Sequence, residues 1–339
     1  MIRVLIVDDS ALVRQLLSHM LAQAEDIDVV GCAEDPYQAR DMIKELNPDV
    51  LTLDIEMPRM DGIAFLRNLM KLRPMPVIMI STLTEKGAAV TLEALSLGAV
   101  DFISKPKHDL TNKLLDYQDE LLEKVRQAAV SRVRALTAPP PESECPGKLK
   151  NRVIAIGAST GGTEAIQRLI SRLPANFPPV VIAQHIPAAF SASFAKRLDL
   201  NSQMQVVEAM GNEQLKVGTV YIAPGHAHLI IRRVGAHFRT AILDTDPVNR
   251  HKPSVDVLFH SVAEVAGRAA VGVILTGMGR DGAQGLLHMR EQGAYTIAQD
   301  EDSSVVWGMP GSSVELGAVC EQLHLDKIAP KLLNLLKSD

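Results

Sequence analysis

The 339-residue sequence is poor in cysteine, holds one tryptophan and carries no strong excess of either charge. Its three cysteines, Cys32, Cys145 and Cys320, are far apart and odd in number. They exclude a disulfide framework and a zinc cluster, and they suit a reducing cytoplasm. No stretch is apolar enough to span a membrane. A signal-peptide pattern is missing too, because Met1-Ile2-Arg3 runs straight into Val4-Leu5-Ile6-Val7-Asp8-Asp9, which reads as a first strand. The expectation is a cytoplasmic protein without direct membrane insertion.

The formal net charge of −5 is unevenly placed. Residues 1–136 carry 16 Lys+Arg against 21 Asp+Glu, residues 137–150 hold two of each sign, and residues 151–339 hold 17 of each. A nucleic-acid-binding output half should be basic, and this one is neutral, so no nucleic-acid partner is expected. The length allows two domains, each able to bury its own core.

An apolar, β-branched run from Arg152 to Ile156 ends in Gly157-Ala158-Ser159-Thr160-Gly161-Gly162, and a helical pattern follows from Glu164 to Leu173. Strand, glycine turn and helix lift the Ser159 hydroxyl onto the carboxyl edge of a parallel sheet, where open α/β folds bind ligands. The G-x-S-x-G spacing fits a nucleophile elbow. It fits a glycine turn cradling a phosphate equally well.

Residues 1–136 alternate strand patterns near 2–7, 28–32, 49–53, 77–81 and 100–103 with helical ones near 11–23, 36–46, 62–72, 87–97 and 110–136. Five such units predict a doubly wound parallel sheet. Asp8 and Asp9 close the first strand, Asp54 the third and Ser81 the fourth, while Lys105 follows the fifth. Three carboxylates on one edge make a hard-oxygen site suited to Mg²⁺, and a lysine opposite could balance an added phosphoryl group. Any one of these residues could be a helix cap or a solvated loop residue, but five at matching strand ends argue for a site.

Residues 1–120 resemble a response-regulator receiver domain of flavodoxin-like fold. The motifs are Val7-Asp8-Asp9-Ser10, Leu53-Asp54-Ile55-Glu56-Met57-Pro58-Arg59-Met60-Asp61-Gly62, Ile80-Ser81 and Phe102-Ile103-Ser104-Lys105-Pro106. The resemblance implies that Asp54 accepts phosphate from a histidine kinase. It also implies that Asp8, Asp9, Asp54 and the Glu56 backbone carbonyl hold Mg²⁺, with Ser81, Phe102 and Lys105 as switch residues. Phe102, where tyrosine is common, has no hydroxyl to move.

Four prolines in residues 137–150 break all periodicity and read as an extended spacer between a domain at 1–136 and another at 151–339. The second half resumes alternation, with strands expected near 152–156, 180–183, 204–207, 271–275 and 294–298. Val217–Ile222 and Leu229–Arg232 flank Pro224-Gly225 and, with Phe238–Leu243, predict a small antiparallel insertion. The expected architecture is two doubly wound parallel-sheet domains, the second Rossmann-like.

A nucleophilic serine needs a base, and the base needs an orienting acceptor. His185 follows the strand Val180–Ala183, and Asp281 ends the glycine-rich loop Thr276–Gly282 after Val271–Leu275. Singly, His185 fits a satisfied strand-end residue and Asp281 an N-cap. Together with Ser159 they form a candidate triad, in an order unlike that of α/β-hydrolases. His226 and His228 have metal-ligand spacing without a third ligand, so a turn-and-strand role is expected. Trp307 reads as packing.

Residues 151–320 resemble the catalytic domain of the chemotaxis protein-glutamate methylesterases, the CheB family. The matching runs are Ile156–Gly162, Gln184-His185-Ile186-Pro187, Ala223-Pro224-Gly225, Pro253-Ser254-Val255-Asp256, Leu275–Ala283, Ala298-Gln299-Asp300-Glu301 and Gly308-Met309-Pro310. Gly311 departs from the family pattern, where a larger, often basic, residue is expected at the rim of the site. His251 is a candidate lining residue of the substrate groove.

The resemblance implies hydrolysis of glutamate methyl esters on chemoreceptor cytoplasmic helices, releasing methanol, and deamidation of particular glutamines. Ser159 would be the nucleophile, His185 the base and Asp281 its orienter, with the Met278 amide as oxyanion donor and Thr160 supporting the turn. It further implies Mg²⁺ in the receiver, no cofactor for the hydrolysis, recruitment to receptor arrays, and a restraint by the receiver that phosphorylation relieves. A DNA-binding output would require a basic helix-turn-helix, and a dinucleotide fold an acidic residue where Gln184-His185 stands.

Overall fold

The computed structural model describes residues 1–57, 60–82, 84–105, 114–131 and 152–336. Pro58, Arg59 and Pro106 of the receiver motifs, Cys145 and the expected linker 137–150 lie outside them. The chain divides into two compact units, Met1–Thr137 and Ala138–Asp339.

The first unit runs β1 (Ile2–Val7), α1 (Ala11–Leu21), β2 (Ile27–Ala33), α2 (Pro36–Leu46), β3 (Val50–Asp54), α3 (Gly62–Leu72), β4 (Val77–Ser81), α4 (Glu85–Ser96), β5 (Asp101–Ser104) and α5 (Leu114–Val130). All strands pair in parallel, in the order β2-β1-β3-β4-β5. β3 and β4 are buried at every position, as strands covered by helices on both faces must be. Local chemistry sets the helix ends. The Asp35 side chain caps α2 by accepting from the Tyr37 and Gln38 amides, Pro36 takes the first helical position, and Asn47 closes the helix at φ 46°.

The second unit contains β6 (Val153–Ala158), α6 (Gly162–Ile170), β7 (Val180–Gln184), α7 (Ala188–Leu200), β8 (Gln205–Glu208), β9 (Thr219–Ile222), β10 (His228–Val234) and β11 (His237–Leu243). It continues with α8 (Val255–Ala266), β12 (Ala270–Ile274), α9 (Ala283–Glu291), β13 (Tyr295–Gln299), α10 (Gly308–Glu315), β14 (Glu321–Leu323) and α11 (Leu325–Leu335). Seven strands form one parallel sheet, ordered β14-β13-β12-β6-β7-β9-β8. Chain order reverses at β6, which makes its carboxyl end the ligand crevice of an open sheet.

The antiparallel insertion exists, but it is narrower than the sequence predicts. β10 and β11 form it alone, while β9 lies parallel between β7 and β8 in the main sheet. All four residues of β9 are buried, the signature of an interior parallel strand, whereas β11 alternates between inward and outward residues. Pro224-Gly225 therefore leads out of the main sheet into the hairpin.

The core of this unit is continuous from the sheet into α8 and α9, with Phe259 fully buried among Ala155, Val255 and Leu286. α8 lies so close to β6 that a Cβ on Gly157 would stand 2.1 Å from the Val255 side chain. Truncating Phe259 to alanine should lower the unfolding free energy by about 3–5 kcal/mol in denaturant titrations. A loss below about 1 kcal/mol would contradict its place in this core.

Candidate functional site

Three adjacent strands converge on the crevice. Gly157 of β6 is in register with Ala183 of β7 on one side and Ile274 of β12 on the other. The ladder runs one step past the strands, because the Ser159 amide donates to the Thr276 carbonyl (3.1 Å) and the His185 amide to the Ala158 carbonyl (3.2 Å). Ser159 and His185 therefore emerge side by side. The His185 Nδ1 lies 3.1 Å from Ser159 Oγ, and its Nε2 lies 2.8 Å from Asp281 Oδ2. With Nε2–H donated to the carboxylate, the Nδ1 lone pair faces the hydroxyl. This is the reverse of the ring orientation in chymotrypsin-type triads.

Asp281 is 2% exposed and accepts four further bonds. They come from Asn249 Nδ2 (2.8 Å), Ser254 Oγ (2.8 Å), the Val255 amide (2.7 Å) and the Asp256 amide (3.3 Å). The last two begin α8, whose dipole favours negative charge there. Burial alone would raise the Asp281 carboxyl, but bonds from His185, Asn249 and Val255 outweigh it and hold the group far below the usual range. Neighbouring Asp256, also buried, accepts from the Gly285 amide (2.6 Å) and from Asn249 Nδ2 (2.7 Å), and burial raises its carboxyl. Asn249 thus bridges two carboxylates.

The serine turn is braced from two sides. Gln184 Nε2 donates to the Ser159 and His185 carbonyls at 2.9 and 3.1 Å. Thr276 Oγ1 donates toward the carbonyls of Thr160 (3.0 Å) and Val306 (3.1 Å), and Gln299 Oε1 holds the Thr276 amide. The Thr160 carbonyl thus ties the serine turn to the loop after β12. Gly161, at φ 74°, is the N-cap of α6, and the Gly162 amide donates to the Ser159 carbonyl (2.7 Å). Met278 is half-buried in the loop after β12, and its backbone amide donates no hydrogen bond within the described residues.

Asn249, Ser254, Asp256, Gln184, Thr276 and Gln299 have no role assigned by sequence reasoning. Most fall within the family-like runs, which were the available signal. His226 is exposed, whereas His228 is fully buried and bonded to the Asp246 carbonyl and the Ser254 amide, so neither belongs to a metal cluster among the described residues. Gly311 is buried against Trp307, where an added Cβ would stand 3.0 Å from the indole. Trp307 packs there and donates to the Gln299 carbonyl (3.3 Å).

In the first unit, carboxylate oxygens of Asp8, Asp9 and Asp54 lie within 4.8 Å of one another. Lys105 Nζ approaches Asp54 at 2.7 Å and Asp8 at 3.6 Å. Asp8 Oδ2 is buried and accepts no hydrogen bond. A buried carboxylate oxygen that meets only the Lys105 ammonium, at 3.6 Å and without a hydrogen bond, fits within an all-oxygen set a hard divalent cation such as Mg²⁺. Glu56 turns an exposed side chain outward and gives its amide to Asp54 Oδ1 (3.3 Å). Burial raises Asp8 and lifts Asp54 to about 6. Burial works against the Lys105 ammonium, yet the bond to Asp54 and the fields of Asp54, Asp8 and Asp9 raise it. Ser81 is buried with its Oγ 2.5 Å from Thr91 Oγ1, a partner the sequence did not reveal. Phe102 is buried under Lys124 Nζ, 5.2 Å from the ring centre.

A receiver-like sheet with an acidic, lysine-paired edge, followed by a parallel sheet with a serine-centred crevice, defines a response regulator with an α/β output unit. Residues 4–115 match the response regulator receiver domain, and residues 154–332 match the CheB methylesterase domain. The chain is 54% identical over 340 residues to a protein-glutamate methylesterase/protein-glutamine glutaminase of Dechloromonas aromatica, covering 98% of this chain and 97% of that one. A counterpart from Nitrosomonas europaea is 52% identical, covering 98% and 96%. The catalytic domain of Thermotoga maritima CheB methylesterase superposes with a TM-score of 0.54 at 39% identity, covering 55% of this chain and 99% of that one. The chain belongs to the CheB methylesterase family. No described helix is long and apolar enough to cross a membrane.

The raised Asp54 carboxyl has a stability consequence. Protonated when folded up to about pH 6, against an ordinary value of 3.8, it penalises the folded unit by about 3 kcal/mol at neutral pH. That penalty is absent below pH 3.8 and complete above about pH 6, so stability falls as pH rises through the window. In chelator-containing buffer, Asp54→Asn should gain about 1–3 kcal/mol at pH 7.5 and far less at pH 4.5, read from urea midpoints. A pH-independent difference would contradict it.

Proposed function

We propose that the chain is a phosphorylation-activated hydrolase that demethylates glutamate methyl esters and deamidates glutamines on chemoreceptor cytoplasmic helices, serving adaptation in bacterial chemotaxis. Residues 1–136 act as the receiver, 137–150 as the linker and 151–339 as the catalytic domain. The observation that carries the catalytic assignment is the relay Ser159 Oγ to His185 Nδ1 (3.1 Å) and His185 Nε2 to Asp281 (2.8 Å).

Ser159 Oγ attacks the ester carbonyl carbon while its proton passes to His185 Nδ1. Asp281 orients the ring and offsets the imidazolium charge. The oxyanion forms against the Met278 amide, and one such donor contributes roughly 10²–10³ in rate. The intermediate collapses, the C–O bond to the methoxy group breaks, and His185 returns the proton to release methanol. A water then attacks the acyl-serine while His185 takes its proton, the bond to Ser159 Oγ breaks, and His185 returns the proton to that oxygen, giving glutamate and free Ser159. With glutamine the leaving group is ammonia.

In the receiver, Asp54 accepts the phosphoryl group from a histidine kinase. Asp8, Asp9, Asp54 and the Glu56 carbonyl would hold Mg²⁺, which supplies charge neutralisation at the incoming phosphate. Lys105 would pair with the phosphoryl oxygens, and Ser81 and Phe102 would carry the switch. The protein would work in the cytoplasm at receptor arrays.

The test is methanol release from methylated receptor membranes, with and without a small-molecule phosphodonor. Ser159→Ala should lose at least about 10⁴-fold in kcat, and retention of wild-type release would remove it as nucleophile. Asp54→Asn should keep basal release and gain nothing from the phosphodonor. Stimulation equal to wild type would overturn the regulatory assignment.

A further inference from the structure

We propose that His251 is a positioning residue for His185, holding the plane of the imidazole from a strap fastened by His228. The inference rests on the Ser159–His185–Asp281 reading above.

The strap runs from Asp246 to Ser254. At its base His228, fully buried at the start of β10, donates from Nε2 to the Asp246 carbonyl (3.1 Å) and accepts the Ser254 amide at Nδ1 (3.0 Å). One side chain thereby clasps both ends of the strap. At its tip Val248 and His251 exchange both backbone bonds, at 3.1 and 2.9 Å. Asn249 and Arg250 between them sit at φ 53° and 67°. Two left-handed residues make the tight turn of a hairpin, a conformation unfavourable for arginine and retained where surroundings enforce it. The turn delivers two contacts to the site: Asn249 bonds Asp281, and the His251 ring stacks on His185 with centroids 3.7 Å apart and planes 13° from parallel.

Ser159 and Asp281 hold the His185 imidazole at its two nitrogens. The ring still librates by torsion about its Cβ–Cγ bond, and that motion carries the Nδ1 lone pair out of line with the serine hydroxyl. A second ring lying flat on the face blocks that motion. Such misalignment costs up to about 100-fold in rate when the reacting atoms shift by about 1 Å. Stacking calls for a flat ring at this position, which phenylalanine also supplies.

The experiment measures kcat and KM for methanol release from methylated receptor membranes, using full-length His251→Ala, His251→Phe and His185→Ala, with circular dichroism and thermal midpoints of each. His251→Ala should lower kcat by about 10- to 100-fold with KM within about two-fold of wild type. His251→Phe should recover most of kcat. A raised KM with unchanged kcat would make His251 a substrate contact, and a phenylalanine variant as slow as alanine would remove stacking as its role; either overturns the inference. If the alanine variant is misfolded, kcat of the phenylalanine variant decides alone. Full activity in His185→Ala would sink the triad itself, whereas an inactive His185→Ala beside a fully active His251→Ala sinks only the positioning role.

Discussion

Asp281 keeps a carboxylate almost out of solvent, and five donors meet on it. A buried charge is tolerated only when it is paired and hydrogen-bonded, so these contacts constrain everything that supplies them. His185 comes from the end of β7, Asn249 from the strap, and Ser254, Val255 and Asp256 from the start of α8. Satisfying the charge fixes α8 against β6, and this close approach explains glycine at position 157, where a side chain would collide with Val255. The same charge orients the imidazole in front of Ser159. Stability of the local fold and readiness of the site are consequences of one requirement.

Asp54 meets the opposite fate. It too is buried, but its donors are Lys105 and one long bond from the Glu56 amide, and Asp8 lies close enough to repel it. Burial prevails and the carboxyl rises, whereas at Asp281 the donors prevail and it falls. The difference suits the two roles proposed for these carboxylates. An orienting carboxylate has to stay ionised throughout a reaction cycle. A phosphoacceptor beside a cation site gains from being under-satisfied, because an added cation then finds negative charge to balance.

Much of this was legible because parallel sheets put chemistry at strand ends. Asp8, Asp54, Ser81 and Lys105 in the first unit, and Ser159 and His185 in the second, stand where an apolar run stops, and the runs alone locate them. β9 was misplaced because a short buried strand says nothing about its neighbours; only β7 and β8 flanking it make it parallel. Thr91 and His228 were illegible for a related reason. Each takes its meaning from partners on other elements, Ser81 of β4 for Thr91 and the two ends of the strap for His228. No periodicity records such pairings.

The G-x-S-x-G spacing shows how one pattern can arise from different constraints. In a nucleophile elbow the strain sits on the serine. Here positive φ falls on Gly161 instead, and Ser159 is not among the left-handed residues described. The remaining glycines answer to packing: Gly157 admits Val255, and Gly162 admits the Gln184 side chain, which would lie 2.2 Å from a Cβ there. That same glutamine holds the Ser159 carbonyl, so the glycine spacing makes room for the brace of the serine rather than for a sharp bend at it. The spacing could not by itself choose between a phosphate cradle and a nucleophile. The order of strands β12, β6 and β7 supports the proposed nucleophile, because that adjacency brings Asp281, Ser159 and His185 to one crevice.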